Sequence, residues 1–315
     1  MSADAGDPGA PRRAAAVPAP AGGAGEAAPA GDAGEAALPR LRVAYFGRPG
    51  TFSHEVASRR FGQGADLTPR RTISAVFDAV AGDAATYGVV PIENAVGGPI
   101  YDTVDRLIRR EGTGAELVVC EELSLHVTLS LLGRRGAAPR RIYSHFVPLK
   151  HCGDWLRAQY PDAQILEAES TAEAVERAAQ DGEAWAVGNK GAAAIYQLEI
   201  LVPKLAVKGE NVTRFFVVGR TAEPPPSGGR TLLVFGLEHR PSALVAALSA
   251  LGRYGINLTR IVSRALPDSP EEYLFLVECE GSTQEPSFKE ALALLEQHAT
   301  GVRSLGSFRV SQKYE

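Results

Sequence analysis

The sequence predicts an α/β region of mostly parallel strands followed by a smaller α+β unit, and three observations carry that reading. From residue 41 to residue 219, short apolar runs alternate with helix-like stretches, the pattern of strands crossed over by helices. A segment rich in proline and glycine, Ala222-Glu-Pro-Pro-Pro-Ser-Gly-Gly229, then interrupts the chain and reads as a linker. Beyond it the signals fall in the order βαββαβ, which is that of a ferredoxin-like unit.

Residues 1–39 are almost all Ala, Gly, Pro, Asp and Glu. They lack the apolar surface that would offset ordering entropy, so a disordered tail is expected there. Arg12 and Arg13 are followed by no compact apolar stretch, which disfavours a secretion signal. Leu41–Phe46 reads as a buried strand, and Thr51 or Ser53 opens a helix after a glycine turn. Tyr87–Ile92 is expected as a strand, Asp102–Arg110 as a helix, Leu123–Leu132 as one strand and Arg141–Ser144 as another. Leu149–Gln159 then reads as a helix and Gln164–Glu167 as a strand. Ser170-Thr171 caps a helix running to Gln180, Ala184–Gly188 is a strand, Lys190–Tyr196 a helix and Thr213–Gly219 a closing strand. After the linker the expected elements are strand Thr231–Leu237, helix Ser242–Tyr254, strands Ile256–Ala265 and Glu272–Glu280, helix Phe288–His298 and strand Gly301–Val310. The domain plan is therefore a tail over 1–39, a catalytic region over 40–220, a linker over 221–229 and a regulatory unit over 230–315.

Composition narrows the function. The 315 residues are 45% hydrophobic, enough for more than one core, and carry a formal net charge of -4. No part of the chain is strongly basic, so nucleic acid is not an expected partner. No apolar run reaches the length of a membrane span. Cys120, Cys152 and Cys279 are odd in number and far apart, which argues against disulfides and zinc and for a reduced cytoplasm. His145 and His151 form the one close histidine pair, at a spacing that suits no helical metal site, so no metal is expected.

Five short constellations stand where chemistry can occur. Gly47-Arg-Pro-Gly50-Thr51-Phe52-Ser53-His54 joins a strand to a helix, where free amides and the helix dipole favour an anion. Pro91-Ile-Glu93-Asn94 ends a strand, the edge at which open α/β sheets bind ligands. Asn94 both donates and accepts, while Glu93 suits either proton transfer or holding a neighbour. Ser144-His145 ends another strand, and since adjacent strand side chains point to opposite faces, Ser144 reads as a hydrogen-bond donor rather than a nucleophile. Glu169-Ser170-Thr171 is a helix cap and a second anion-binding helix start. Asn211-Val-Thr213-Arg214-Phe215 sets a hydroxyl beside a guanidinium able to grip a carboxylate bidentately. Each, taken alone, also reads as an ordinary turn, cap or surface strand.

In their order, the five motifs resemble the prephenate dehydratase family: Gly50 to Ser53, Pro91 to Asn94, Ser144-His145, Ser170 to Ala172 and Thr213 to Phe215 stand where that family has its cleft-lining segments. Ser242-Ala-Leu-Val245 and Val262-Ser-Arg-Ala265, with Ile256-Asn-Leu-Thr259 between them, are similar to the two signature segments of the family's ACT domain. The resemblance spans Leu41 to Tyr314. It departs from the family at Arg48-Pro49, Ala95, Phe146-Val147, His151, Ser242, Val262 and Ala265.

The resemblance implies a type II periplasmic-binding-protein-like catalytic region of two lobes, with the chain crossing near Leu117 and returning near Leu201. It implies conversion of prephenate to phenylpyruvate in L-phenylalanine biosynthesis, without a cofactor because aromatisation drives the reaction. Thr213 is then the expected donor to the departing hydroxyl, with Glu93 as the alternative acid. Thr51, Phe52, Ser53, Asn94, Ser144, Thr171 and Arg214 are the expected substrate-binding residues. L-phenylalanine is expected to act as effector near Ser242, Ala243, Leu244 and Asn257, at the interface of a homodimer or homotetramer. Three alternatives remain open: arogenate dehydratase, a non-aromatising prephenate decarboxylase, which would need no leaving-group donor, and a non-catalytic amino-acid sensor.

Overall fold

The computed structural model describes residues 40–108, 116–136, 138–205, 210–266 and 269–314. The expected tail over 1–39 and the end of the helix expected over Asp102–Arg110 lie outside them.

The first lobe is built from β1 (Leu41–Phe46), α1 (Phe52–Phe61), β2 (Ala65–Arg70), α2 (Ile73–Ala81), β3 (Tyr87–Asn94), the short β4 (Gly98–Pro99), α3 (Tyr101–Ile108) and β5 (Val118–His126). The second contains β6 (Ser130–Gly133), β7 (Arg141–Ser144), α4 (Phe146–Gln159), β8 (Gln164–Glu167), α5 (Thr171–Gln180), β9 (Ala184–Gly188), α6 (Lys190–Ile195) and β10 (Glu199–Val202). β11 (Val212–Gly219) brings the chain back to the first lobe, and β12 (Arg230–Leu237), α7 (Ala243–Gly252), β13 (Leu258–Leu266), β14 (Ser269–Glu280), α8 (Pro286–Leu295) and β15 (Thr300–Tyr314) follow. This is an α/β fold with mixed sheets.

Two expectations change. The strands are not mostly parallel: β1 pairs in parallel with β2 and β3, but β11 lies antiparallel between β3 and β5, and β6 is antiparallel to β9 and β10. A chain that leaves a lobe and returns to its sheet inserts its return strand against the first ones. The run Leu123–Leu132 is likewise two strands in two sheets. β5 stops at His126, and Val127 to Leu129 carry the chain across, with the Val127 amide on Asn211 O at 2.7 Å and Leu129 O accepting from the Leu205 amide at 2.8 Å. The outgoing and returning segments are thus bonded to each other, and the crossing lies at 127–129 rather than near Leu117.

The larger sheet has the order β2-β1-β3-β11-β5-β15-β12-β14-β13 and passes without a break from the first lobe into the C-terminal unit. β15 makes the join, pairing antiparallel with β12 and, through Arg309–Tyr314, parallel with β5. β12 is buried along nearly its whole length because both faces are covered. Leu232 and Val234 pack with Val119, Phe216 and Val218 of the first lobe, whereas Leu233 and Phe235 pack with Leu251 of α7 and Phe288 of α8. The second lobe's sheet, β10-β6-β9-β7-β8, has its own cores on either side.

Candidate active site

A cavity of about 500 Å³ lies between the two lobes. Three helices begin at its wall. α1 is capped by Thr51, whose Oγ1 donates to Arg48 O at 2.9 Å and accepts from the His54 amide at 3.3 Å. Phe52 and Ser53 follow in the first turn, where backbone amides have no intrahelical acceptor, and all three residues line the cavity. The turn that feeds α1 needs its glycines: Gly47 and Gly50 have φ of 96° and 86°, and a Cβ on Gly50 would meet Ala192. α5 starts opposite, with Ser170 Oγ accepting from the Glu173 amide at 3.1 Å and Thr171 facing the cavity. α4 begins after His145, which also lines the cavity.

The floor comes from the paired strands β3 and β11, where Asn94 stands opposite Thr213. Asn94 Oδ1 accepts from the amides of Val96 and Gly97 at 3.0 and 2.9 Å, which fixes the orientation of its amide. Asn94 Nδ2 then donates to Thr213 Oγ1 at 2.8 Å and to Asn211 Oδ1 at 2.9 Å. With one Thr213 lone pair occupied in this way, the hydroxyl proton is available to an acceptor in the cavity. Asn94, Asn211 and Thr213 all line the cavity, and Thr213 is only 8% exposed.

The lobes are tied at the rim. Asn189 Nδ2, at the start of α6, donates to Gly50 O at 2.9 Å, Tyr196 Oη donates to Pro49 O at 3.1 Å, and Arg48 is paired with Glu176. Burial pushes the His145 and His54 imidazoles below their ordinary value, with Glu167 working against this at His145. Nδ1 of His54 accepts from the Gly50 amide at 3.2 Å, as a neutral ring can.

Of the expected site residues, Thr51, Phe52, Ser53, Asn94, Thr171 and Thr213 meet in this cavity. Three do not. Ser144 is fully buried and its Oγ donates to His145 O at 3.2 Å, so the Ser-His strand end presents His145 and turns Ser144 inward. Arg214 and Glu93 lie on the reverse face of the strands. A bulge between Arg214 and Phe215 skips Ile92, and Arg214 is registered with Glu93 and bonded to Glu122 and Glu278 instead of facing the cavity. Arg214 as a grip for a substrate carboxylate, and Glu93 as an acid in the cleft, are corrected on this ground. Asn211 and Tyr101 were not picked out from the sequence, although Asn211 opens the quoted Thr-Arg-Phe segment. The expected effector residues lie apart: Ser242 is the left-handed N-cap of α7, Ala243 is buried, Leu244 half-buried, and Asn257 exposed before β13.

None of the described residues that line the cavity is Lys or Arg; the helix starts and hydroxyls found there are groups that suit an anion. Among the described residues, no three His, Cys, Asp or Glu side chains cluster as a metal site, and no helix is long and apolar enough to cross a membrane.

Comparison with known proteins gives the family of the chain. The prephenate dehydratase family model matches residues 43–223. A bifunctional chorismate mutase/prephenate dehydratase of Aquifex aeolicus is 35% identical over 271 residues, covering 85% of this chain and 74% of its own length. Among solved structures, the prephenate dehydratase of Arthrobacter aurescens in complex with L-Phe superposes with a TM-score of 0.77 at 27% identity, over 85% of this chain and 90% of that one. GqqA, described as a novel type of quorum quenching acylase, superposes with a TM-score of 0.77 at 29% identity, over 86% of this chain and 98% of that one.

Proposed function

The chain belongs to the prephenate dehydratase family, and from that premise we propose how its cleft turns prephenate into phenylpyruvate. The observation that carries the reading is the hydrogen bond from Asn94 Nδ2 to Thr213 Oγ1, 2.8 Å long, in the floor of the cavity. In the reaction the bond to the ring carboxylate breaks and CO2 leaves. Its electron pair completes the aromatic ring as the ring C–O bond breaks, and the departing oxygen takes up a proton to leave as water. Thr213 donates to that oxygen as negative charge grows on it, the point at which a fixed donor contributes most. Because Asn94 Nδ2 fills one lone pair of the hydroxyl, Thr213 cannot turn its proton toward Asn94, which leaves that proton for the substrate oxygen. The two carboxylates of prephenate are met by the first turns of α1, α5 and α4, through Thr51 to Ser53, Thr171 and the residues after His145.

Replacing Thr213 with Ala is expected to lower kcat by about 10²–10³-fold with little change in KM, the cost of one lost transition-state donor. Thr213→Ser should keep most of the activity. Full activity in Thr213→Ala, followed by phenylpyruvate absorbance, would remove the residue from this role. The same assay with arogenate measures the preference between the two substrates, and mass spectrometry of the product separates aromatisation from decarboxylation with the hydroxyl kept.

We further propose that the two lobes form a type II periplasmic-binding-protein-like catalytic region over 40–220, and that residues 230–315 form an ACT domain. Its sheet order β15-β12-β14-β13, with α7 and α8 on one face, supports this. L-phenylalanine would bind near Ser242, Ala243, Leu244 and Asn257 where two such domains meet in a homodimer or homotetramer in the cytoplasm. The L-Phe complex of the Arthrobacter enzyme supports a phenylalanine effector. Titrating prephenate turnover with phenylalanine, and sedimentation with and without it, test the effector and the assembly.

A further inference from the structure

Behind the Asn94–Thr213 pair lies a cluster of three arginines and three glutamates. The Arg214 guanidinium donates to Glu122 through Nε and Nη2 at 2.8 and 2.7 Å, to both Glu278 oxygens through Nη2 at 2.8 and 2.7 Å, and to Glu93 through Nη1 at 3.1 Å. Arg230 Nη1 donates to Glu122 at 2.9 Å and to Glu278 at 2.8 Å. Arg260 pairs with Glu93 at 2.6 Å, and Thr259 Oγ1 donates to Glu278 at 2.7 Å. The carboxylates of Glu122 and Glu278 are 3% and 0% exposed, so their charges depend on these partners.

The cluster is divided between two parts of the chain. Glu93, Glu122 and Arg214 precede the proline-rich segment and sum to one negative charge, while Arg230, Arg260 and Glu278 follow it and sum to one positive charge. Neither half is neutral without the other. At Arg214, burial works to lower the pKa, but the hydrogen bonds to Glu122 and the charge of Glu278 outweigh it and raise it. At Glu278, burial works to raise the pKa, and Arg214, Thr259 and Arg230 together bring it below its ordinary value. Both therefore stay ionised.

The register makes the position consequential. Thr213 pairs with Asn94 and Arg214 with Glu93, so the cleft pair and the cluster are successive steps of the same two strands on opposite faces. A strand whose side chain is fixed on one face cannot rotate about its axis without swinging the neighbouring side chain on the other.

We propose that Glu278 and Arg230 are positioning residues for the dehydration: acting through Arg214, they hold β11 at the rotation that presents Thr213 to the leaving hydroxyl. The proposal rests on the reading of Thr213 as the donor and extends it to two residues of the C-terminal unit that are not among the cavity-lining residues.

The test uses the full chain and prephenate turnover in wild type, Glu278→Gln, Arg230→Gln, Thr213→Ala and the Thr213→Ala/Glu278→Gln double variant. Glu278→Gln is expected to lower kcat about tenfold with KM within about twofold, since a small misplacement of a donor acts on the transition state. Arg230→Gln, at the more exposed rim of the cluster, should lower kcat less and in the same way, and it carries the test if Glu278→Gln does not fold. If Glu278 acts only through Thr213, the double variant is no slower than Thr213→Ala alone. Glu238→Gln, an exposed acid of the same unit paired with Arg240, should behave as wild type. Multiplying losses in the double variant, or an unchanged kcat in both single cluster variants, would overturn the proposal. Full activity in Thr213→Ala would instead overturn the donor reading, and the proposal with it.

Discussion

At the scale of single residues, what matters in the cleft is which atom donates. Asn94 and Thr213 are both donor and acceptor by type, and the structure settles their direction through two backbone amides on Asn94 Oδ1. Asn94→Asp keeps those two bonds but removes both donors. Thr213 would then turn its proton to the new carboxylate, and Asn211 Oδ1 would face a second acceptor where it had a donor at 2.9 Å. The variant is expected to lose about 10²-fold in kcat, as for a removed transition-state donor, and steady-state kinetics check it. A variant as fast as wild type would mean that the direction of this bond does not control the reaction. Far from the cleft, Ser242 carries another residue-scale feature. It caps α7 at φ 65°, ψ 5°, and its side chain makes no cap hydrogen bond. A non-glycine residue there costs about 1–2 kcal/mol, so Ser242→Gly is expected to stabilise the chain by about 1 kcal/mol, less the entropy that glycine returns to the unfolded state. A thermal melt with an unchanged or lower midpoint would show that the serine side chain compensates for its backbone.

At the scale of elements, helix starts were legible in the sequence because their chemistry is local. Ser170 is a cap in the sequence and a cap in the structure, and of Thr51 and Ser53, the two residues expected to open α1, Thr51 is the cap. Strand faces were not legible, because they depend on register. Thr213-Arg214 and Glu93-Asn94 are each adjacent pairs of polar residues, and only the pairing of β3 with β11, with its skipped Ile92, decides which member faces the cleft. β2 and α2 went unread, since Ala65–Arg70 is a polar edge strand without an apolar run. The crossing at 127–129 was hidden in an unbroken apolar stretch, where periodicity carries no information about a change of sheet. The packing of α3 leads to a prediction of its own. Arg264 on β13 holds Asp105 with two bonds of 2.6 and 2.7 Å, and its guanidinium lies 4.7 Å from the ring centroid of Tyr101. These contacts are one turn apart on α3, and Tyr101 lines the cavity. Both partners are partly exposed, so the grip is worth about 1 kcal/mol after screening. Arg264→Ala is therefore expected to raise KM about fivefold with a smaller effect on kcat, and Arg264→Lys, which keeps the charge but not the fork, to fall between. An unchanged KM in Arg264→Ala would show that α3 is held by its core face alone.

At the scale of the whole molecule, the sequence suggested two domains joined by a linker, and the structure joins them by a sheet as well. β15 pairs with strands on both sides of the proline-rich segment, and the core around Phe216, Val218, Leu232 and Phe308 crosses the same boundary. The six-charge cluster sits in that junction, so its ionisation enters the stability of the whole chain. Glu278 has a folded pKa below its ordinary value of 4.5, because Arg214, Thr259 and Arg230 outweigh the effect of its burial. A carboxylate depressed on folding contributes stability that is fully present above the unfolded value. That contribution is lost as pH falls through the lower, folded value, since the unfolded chain then binds the proton more readily. The wild-type melting temperature is accordingly expected to hold between about pH 7 and pH 5 on account of this group, and to fall as the pH drops below 4.5. Glu278→Gln has no such proton to bind. It should melt lower at neutral pH, because the buried guanidinium of Arg214 loses a partner, and its melting temperature should fall less steeply below pH 4.5. Melting curves of the two proteins taken across pH 7 to 3 compare these slopes directly. Parallel curves would mean that acid unfolding is set by other carboxylates, while convergence at low pH places the acid-sensitive element at the junction between the catalytic lobe and the C-terminal unit.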